Sequence, residues 1–253
     1  LFAACSPVYY SPTAPVLSGF EKKGDLSITA GAGYADKLTT VEFLNREPNV
    51  PAPSGSNTSL EGADFSIAYS PFDHIGVHYN MTYFYGSERE DSRLNERYSG
   101  NGLFHNIGIG FYEKLEGNII WETYANLGIG NVDIESNAGR NLNASISKLG
   151  AHTGLLYKKR SFEMGGLLSL SRLKYSSING SLEFQNVSQA EYLLDNDAHL
   201  LLEPAIIVRA GHKNVKFQFS LANSTNLTNI DFRQNNLNAS FGVQLAFNAM
   251  DIR

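Results

Sequence analysis

The chain has 253 residues, with 20 Lys and Arg against 25 Asp and Glu and a net charge of -5, a balance that argues against nucleic acid as a partner. No run of about 18 apolar residues occurs, so nothing here can cross a membrane as a helix. The single cysteine, Cys5, excludes an internal disulfide.

Leu1-Phe2-Ala3-Ala4-Cys5-Ser6 places small and apolar residues just before that cysteine. The pattern is that of a bacterial lipobox, in which a peptidase cleaves before the cysteine and the cysteine carries lipid, a palmitate-type modification after a signal segment. The next segment holds Pro7, Pro12 and Pro15 together with Tyr9 and Tyr10. It reads as an extended tether, so residues 1–24 form a lipobox remnant and tether, and residues 25–253 form a separate β domain.

From residue 25 onward the chain alternates apolar and small or polar residues, the period of a β-strand. Asp25–Asp36 sets Leu26, Ile28, Ala30, Ala32 and Tyr34 against Ser27, Thr29, Gly31 and Gly33. Gly62–Ser70 and Ile75–Tyr85 repeat the pattern on either side of Pro71-Phe72-Asp73-His74, a tight turn. Gly102–Tyr112 and Asn118–Val132 form the next pair, joined near Lys114 and Gly117. Asn143–Tyr157 and Phe162–Tyr175 are joined by the basic turn Lys158-Lys159-Arg160-Ser161. Leu200–Arg209 carries Pro204, which lacks a ladder donor. Gly211-His212-Lys213-Asn214 then turns the chain into Val215–Asn223. The last strand, Ser240 to Phe247, points Phe241, Val243, Leu245 and Phe247 one way and Gly242, Gln244 and Ala246 the other.

Ten such segments connect by short and long links in alternation. The short links lie near Pro71, Lys114, Lys159 and His212, and the long ones near 37–60, 87–101, 135–142, 176–198 and 226–236. Strands sorted in this way predict a ten-stranded antiparallel up-and-down transmembrane β-barrel, with bulky faces toward lipid and small or polar faces toward a narrow lumen. Short turns then face the periplasm and long loops the cell exterior. Aromatic residues near the strand ends predict two girdles: Tyr69, Phe72, Trp121, Tyr157 and Phe162 by the short turns, and Tyr83, Tyr85 and Tyr175 by the long loops. With ten strands both termini fall at the short-turn end, which places a lipid on Cys5 in the periplasmic leaflet beside the first strand.

Cys5-Ser6-Pro7 with Leu17 and Gly24-Asp25, then Ala68-Tyr69-Ser70-Pro71 through His74-Ile75-Gly76-Val77, resembles small outer-membrane barrel lipoproteins of the Bacteroidota. Ser240, Gly242, Leu245 and Phe247 are similar to the carboxy-terminal β-signal read by the barrel-assembly machinery. The tail Asn248 to Arg253 departs from signals that end at the aromatic residue. The resemblance implies outer-membrane lipids, the assembly machinery and other outer-membrane proteins as partners. It implies a role as a non-enzymatic accessory or structural subunit of a larger complex for assembly, secretion or nutrient import, or as a surface-loop binder.

The inward positions carry Asp64, His78, Glu122, Lys148, His152, Glu163, Glu203, Arg209 and Lys216. Buried charges need partners, so an ion-paired plug filling the lumen is expected, with a proton or ion path as the alternative. Asp197-Ala198-His199 at a loop-to-strand junction is similar to the acid and histidine of the omptin proteases, where the acid orients a histidine that activates water. The second aspartate pair of that family has no counterpart; the nearest acids are Glu88, Glu90 and Asp91. No phosphate loop, nucleophile elbow or metal motif appears, so the expected cofactors are none beyond the lipid on Cys5.

Overall fold

Alternation with period two is realised in ten strands: β1 (Asp25–Asp36), β2 (Ser59–Phe72), β3 (Ile75–Arg89), β4 (Arg97–Lys114), β5 (Ile119–Ser136), β6 (Asn141–Lys158), β7 (Phe162–Gly180), β8 (Ala198–His212), β9 (Val215–Asn223) and β10 (Leu237–Asn248). The structure, a computed structural model, describes residues 9–36, 59–89, 97–184, 187–229, 232, 234 and 236–251. Each strand pairs antiparallel with its sequence neighbour, and β10 pairs with β1, so the sheet closes into a ten-stranded barrel. The closing register runs from Leu26 opposite Phe247 through Gly31 opposite Gly242 to Asp36 opposite Leu237.

Which face points inward is decided by exposure. Ile107, Ile109 and Leu149 stand 59%, 61% and 64% exposed on the outer surface, while inward His78, Glu122 and Gln244 are 2%, 0% and 1% exposed. A soluble β fold reverses this arrangement, because apolar area is removed from water at about 25 cal/mol per Å². An exposed belt of this extent is stable only against hydrocarbon. No described helix is long and apolar enough to cross a membrane.

The connections sort by end. Asp73–His74, 115–118, 159–161 and Lys213–Asn214 turn the chain at one end. His74, Asn118 and Lys213 have φ of 66°, 68° and 43° there, the left-handed geometry of tight turns. Pro71 falls where the register between β2 and β3 shifts, between Tyr69 and Phe72, because it has no N–H for the ladder. Pro204 interrupts a ladder without shifting its register. The ladder between β8 and residues 215–226 breaks between Leu202 opposite Thr225 and Ala205 opposite Ala222.

Several expectations are corrected at the other end. The stretch 135–142 is not a long loop. β5 and β6 run on to Ser136 and from Asn141, and a four-residue turn, 137–140, joins them. After β7, Glu183–Phe184 pairs antiparallel with Val187–Ser188, and a short helix, α1 (Gln189–Asp195), is capped at Ser188, whose side chain accepts from the Glu191 N–H. Tyr175 does not join the outer girdle. It is buried inside the barrel, because its odd position in β7 shares the face of Glu163. Tyr34, Tyr83 and Tyr85 carry exposed rings toward that end instead.

The largest correction concerns the N-terminal segment. Residues 9–21 do not trail outside the barrel; they run through its lumen. Tyr9 packs at the long-loop end with Tyr175, Leu193 and Phe232, while Phe20 packs at the short-turn end with Ala68 and Tyr112. Cys5 lies outside the described residues.

Candidate functional site in the lumen

The threaded segment has a composition suited to a narrow pore. Pro12 and Pro15 bring no N–H that needs a partner, and their fixed φ lowers the entropy lost on ordering. The remaining backbone groups meet inward side chains. Ser18 and Gly19 donate their N–H groups to the Glu122 carboxylate at 2.9 and 2.5 Å. Arg209 donates from Nη2 to the Leu17 carbonyl at 2.6 Å, and Lys158 donates to the Gly19 carbonyl at 2.6 Å. Asn238 donates to the Pro12 carbonyl at 2.6 Å. At the top, the Tyr175 hydroxyl donates to the Tyr9 carbonyl at 2.9 Å, and the Tyr9 hydroxyl donates to Gln189 of α1 at 2.6 Å.

The inward charges fall into two clusters and three separate groups. In the lower cluster, Glu163 lies 3.0 Å from Arg209 and 2.5 Å from Lys216, and Arg209 Nε donates to Gln218 at 2.8 Å. In the upper cluster, Lys148 pairs with Glu203 at 2.5 Å. The Tyr10 hydroxyl donates to Glu203 at 2.6 Å and accepts from Lys148 at 2.7 Å. Glu122 is the departure from an ion-paired plug: its oxygens accept from the threaded backbone. Asp64 accepts from the Thr82 hydroxyl at 2.7 Å. His78 and His152 stack with centroids 5.7 Å apart, beside Tyr124. Asn126 lies 3.0 Å from His152 Nδ1.

Between the thread at Pro12–Val16 and the wall at His78, Asn126, Lys148 and His152 lies a cavity of about 70 Å³. A space of this size suits a small group of waters. No group of three or more metal-ligating His, Cys, Asp or Glu residues occurs among the described residues. Above the charges the lumen is apolar: Phe104, Val132, Ile134, Ile146, Leu173 and Leu201 bury against Tyr9 and Phe232. The reading of small and polar inward residues missed this upper core, although strict alternation through the longer strands β5, β6 and β7 marks it.

The rim candidates are not brought together as a water-activating pair. Asp197 turns to Lys174, 4.0 Å away. His199 is 2% exposed, with its ring 3.8 Å from that of Phe232 and edge-on to Tyr175. Glu90 and Asp91 lie outside the described residues, as does the side chain of Glu88.

The terminal strand residues take up opposite roles. The Ser240 hydroxyl meets that of Ser220 at 2.5 Å in the lumen, and Leu245 points outward opposite Ile28 of β1. Gly242 abuts Gly31 across the seam.

No protein-family profile matches the chain, and no curated protein matches it by sequence. Among solved structures, the barrel is similar to the translocator domain of autotransporter NalP from Neisseria meningitidis, with a TM-score of 0.50 at 12% identity over 90% of each chain. Other matches are outer membrane protease OmpT from Escherichia coli, with a TM-score of 0.45 at 11% identity over 88% of this chain and 95% of that one, and outer membrane protein OprG from Pseudomonas aeruginosa, with 0.40 at 11% over 91% and 99%. At such identity the likeness is one of fold: the chain has an outer-membrane β-barrel fold.

Proposed function

We propose that this chain is an integral outer-membrane barrel with a sealed lumen, acting as a non-enzymatic structural or accessory subunit of a larger envelope assembly for biogenesis, secretion or nutrient import. The observation that carries the reading is the segment Tyr9 to Glu21, which occupies the lumen from end to end with its backbone groups held by Glu122, Arg209, Lys158 and Asn238. A barrel committed in this way has no through-path for solute, and its outward surfaces are what it offers to partners. The short turns face the periplasm and the long loops the exterior. The exposed apolar belt meets outer-membrane lipid, a lipid on Cys5 adds an anchor of the Bacteroidota lipoprotein kind on the long-loop side, and Ser240, Gly242, Leu245 and Phe247 address the assembly machinery.

The test has two parts. Purified barrel in a planar bilayer is expected to show no steady conductance; a stable open-channel current sinks the sealed-lumen reading. Gentle detergent extraction and affinity capture are expected to return a stoichiometric outer-membrane partner; recovery of the barrel alone counts against the accessory role. An omptin-like hydrolase is not favoured, because His199 is buried against Phe232 rather than paired with Asp197.

A further inference from the structure

We infer that the barrel delivers its own amino-terminal segment to the face that carries the long loops, so that the residues preceding Tyr9 are displayed outside the cell. The face itself is set by the path of the thread; that this face is the exterior rests on the orientation proposed above.

The direction of the chain decides the matter. β1 starts at the short-turn end, where Gly24 donates to the Ser70 carbonyl and Glu21 bridges Lys114 and Lys158. Going back toward the amino terminus, the chain meets Glu122 at Ser18 and Gly19. It then meets Arg209 at Leu17, Asn238 at Pro12, and Lys148 and Glu203 at Tyr10. It leaves the charged part of the lumen at Tyr9, under α1. These holding groups come from β5, β6, β8 and β10, on different sides of the wall. The thread is therefore fixed by the whole barrel rather than laid against one strand. Its register is fixed as well, because each carbonyl and N–H named has its own donor or acceptor. A chain running in this direction has Tyr9 beside α1, at the end where the 137–140 turn joins β5 to β6. Display is in this sense a function of the lumen, which gives its buried charges a role that a bare plug does not require.

The experiment uses the full chain in cells, with one epitope in each of three positions: between Ser6 and Pro7, in the turn at Gly139, and in the turn at Gly117. Gly139 and Gly117 sit at opposite ends, and a Cβ built at either meets nothing within 4 Å, so both turns have room for an insertion. Antibody and protease access is read on intact and on permeabilised cells, and heat-modifiable gel mobility confirms folding of each tagged protein. The expected result is that the Ser6 and Gly139 epitopes are reached on intact cells and the Gly117 epitope only after permeabilisation. An amino-terminal epitope that behaves like Gly117 instead overturns the inference. If the Ser6 and Gly139 epitopes are both protected while Gly117 is reached, the path of the thread stands, and the proposed orientation and the outside display fall. Where the epitope prevents folding, Ser6→Cys in a Cys5→Ser background, read with a membrane-impermeant maleimide, takes its place and is expected to label on intact cells; labelling only after permeabilisation overturns the inference.

Discussion

Arg209 and Glu163 face each other 3.0 Å apart inside the barrel, their side chains 2% and 3% exposed. The same guanidinium also reaches the Leu17 carbonyl of the thread, so the pair links wall to plug. Replacing Glu163 by Gln removes the carboxylate that Arg209 and Lys216 share. Breaking a buried pair from one side costs about 3–5 kcal/mol, because the remaining charge is uncompensated. Glu163→Gln is expected to lower the urea midpoint of the folded barrel in detergent by a corresponding amount. Lys159→Gln, on an exposed turn, is expected to stay within about 0.5 kcal/mol of the parent. Equal small effects for both changes remove the structural role assigned to the pair.

Glu21 closes the thread at the short-turn mouth. Burial pushes its carboxyl up, but the bonds and charge of Lys114 and Lys158 outweigh burial and hold it below the usual carboxylate range. A carboxyl depressed in the folded state contributes stability above its unfolded value, about 4.3. That contribution is lost as pH falls through the lower, folded value. The stability gap between the parent and Glu21→Gln is therefore expected to be fully present at neutral pH and to close as the solution is acidified below about pH 4. A gap that stays constant across this range removes the charge from the account.

Gly19 is where the thread bends, with φ at +69°. Its N–H and carbonyl are both engaged, by Glu122 and Lys158. A Cβ there meets Leu156 Cδ2 at 2.9 Å, besides forcing a left-handed conformation on an L side chain. Gly19→Ala is expected to cost more than the ~0.4–1 kcal/mol that an alanine gains by stiffening the unfolded chain. Faster cleavage of the thread by protease added to the purified protein is the readout. Unchanged or slower cleavage speaks against a tightly held bend.

The barrel was legible in the sequence because lipid and lumen impose opposite chemistry on alternate residues. Ile107 and Ile109 against Gly108 and Gly110, or Phe217 and Phe219 against Lys216 and Gln218, carry that record directly. The turns at Asp73–His74 and Lys213–Asn214 were legible from their residue types. The thread was not. Glu122 and Arg209 bind it through the N–H groups of Ser18 and Gly19 and the carbonyl of Leu17, groups that every sequence possesses, so no side-chain pattern announces the contact. Tyr9 and Tyr10 next to prolines looked like a solvated tether for the same reason. The charges were placed on the correct face by parity alone, while their division into the Glu163–Arg209–Lys216 and Lys148–Glu203–Tyr10 clusters depends on strand stagger around the closed wall. Asp197 and His199 share a strand-like spacing that invited pairing, and Phe232, distant in sequence, takes the histidine instead.

The outward face makes a separate prediction. Ile109 is 61% exposed and flanked across the ladders by Val77 and Ala125. An arginine at mid-depth on the lipid face of such a barrel costs ~2–4 kcal/mol, and close to nothing near the interface. Ile109→Arg and Leu168→Arg, both outward within the apolar belt, are expected to lower folding yield into liposomes, whereas Val187→Arg, beyond β7, is expected to fold as the parent does. If all three fold equally well in lipid, the belt is not the bilayer contact.

The seam between the first and last strands supplies the final prediction. Gly31 lies opposite Gly242. A Cβ on Gly242 meets the Ala30 carbonyl oxygen at 2.5 Å and Gly31 Cα at 2.9 Å, contacts with backbone that no rotamer relieves. The β1–β10 ladder is the one that closes the barrel, and a barrel left open at that seam exposes two strand edges in a medium that cannot hydrogen-bond them. Gly242→Val is therefore expected to act on closure rather than on strand formation. The heat-modifiable, compact species on gels should be largely lost, while the chain still reaches the membrane. Ala246→Val tests the same strand near its end, and Ser240→Ala removes only the hydroxyl contact with Ser220; both are expected to retain the compact species. A normal yield of compact barrel from Gly242→Val shows instead that the seam has slack, and that the glycine pair does not limit closure.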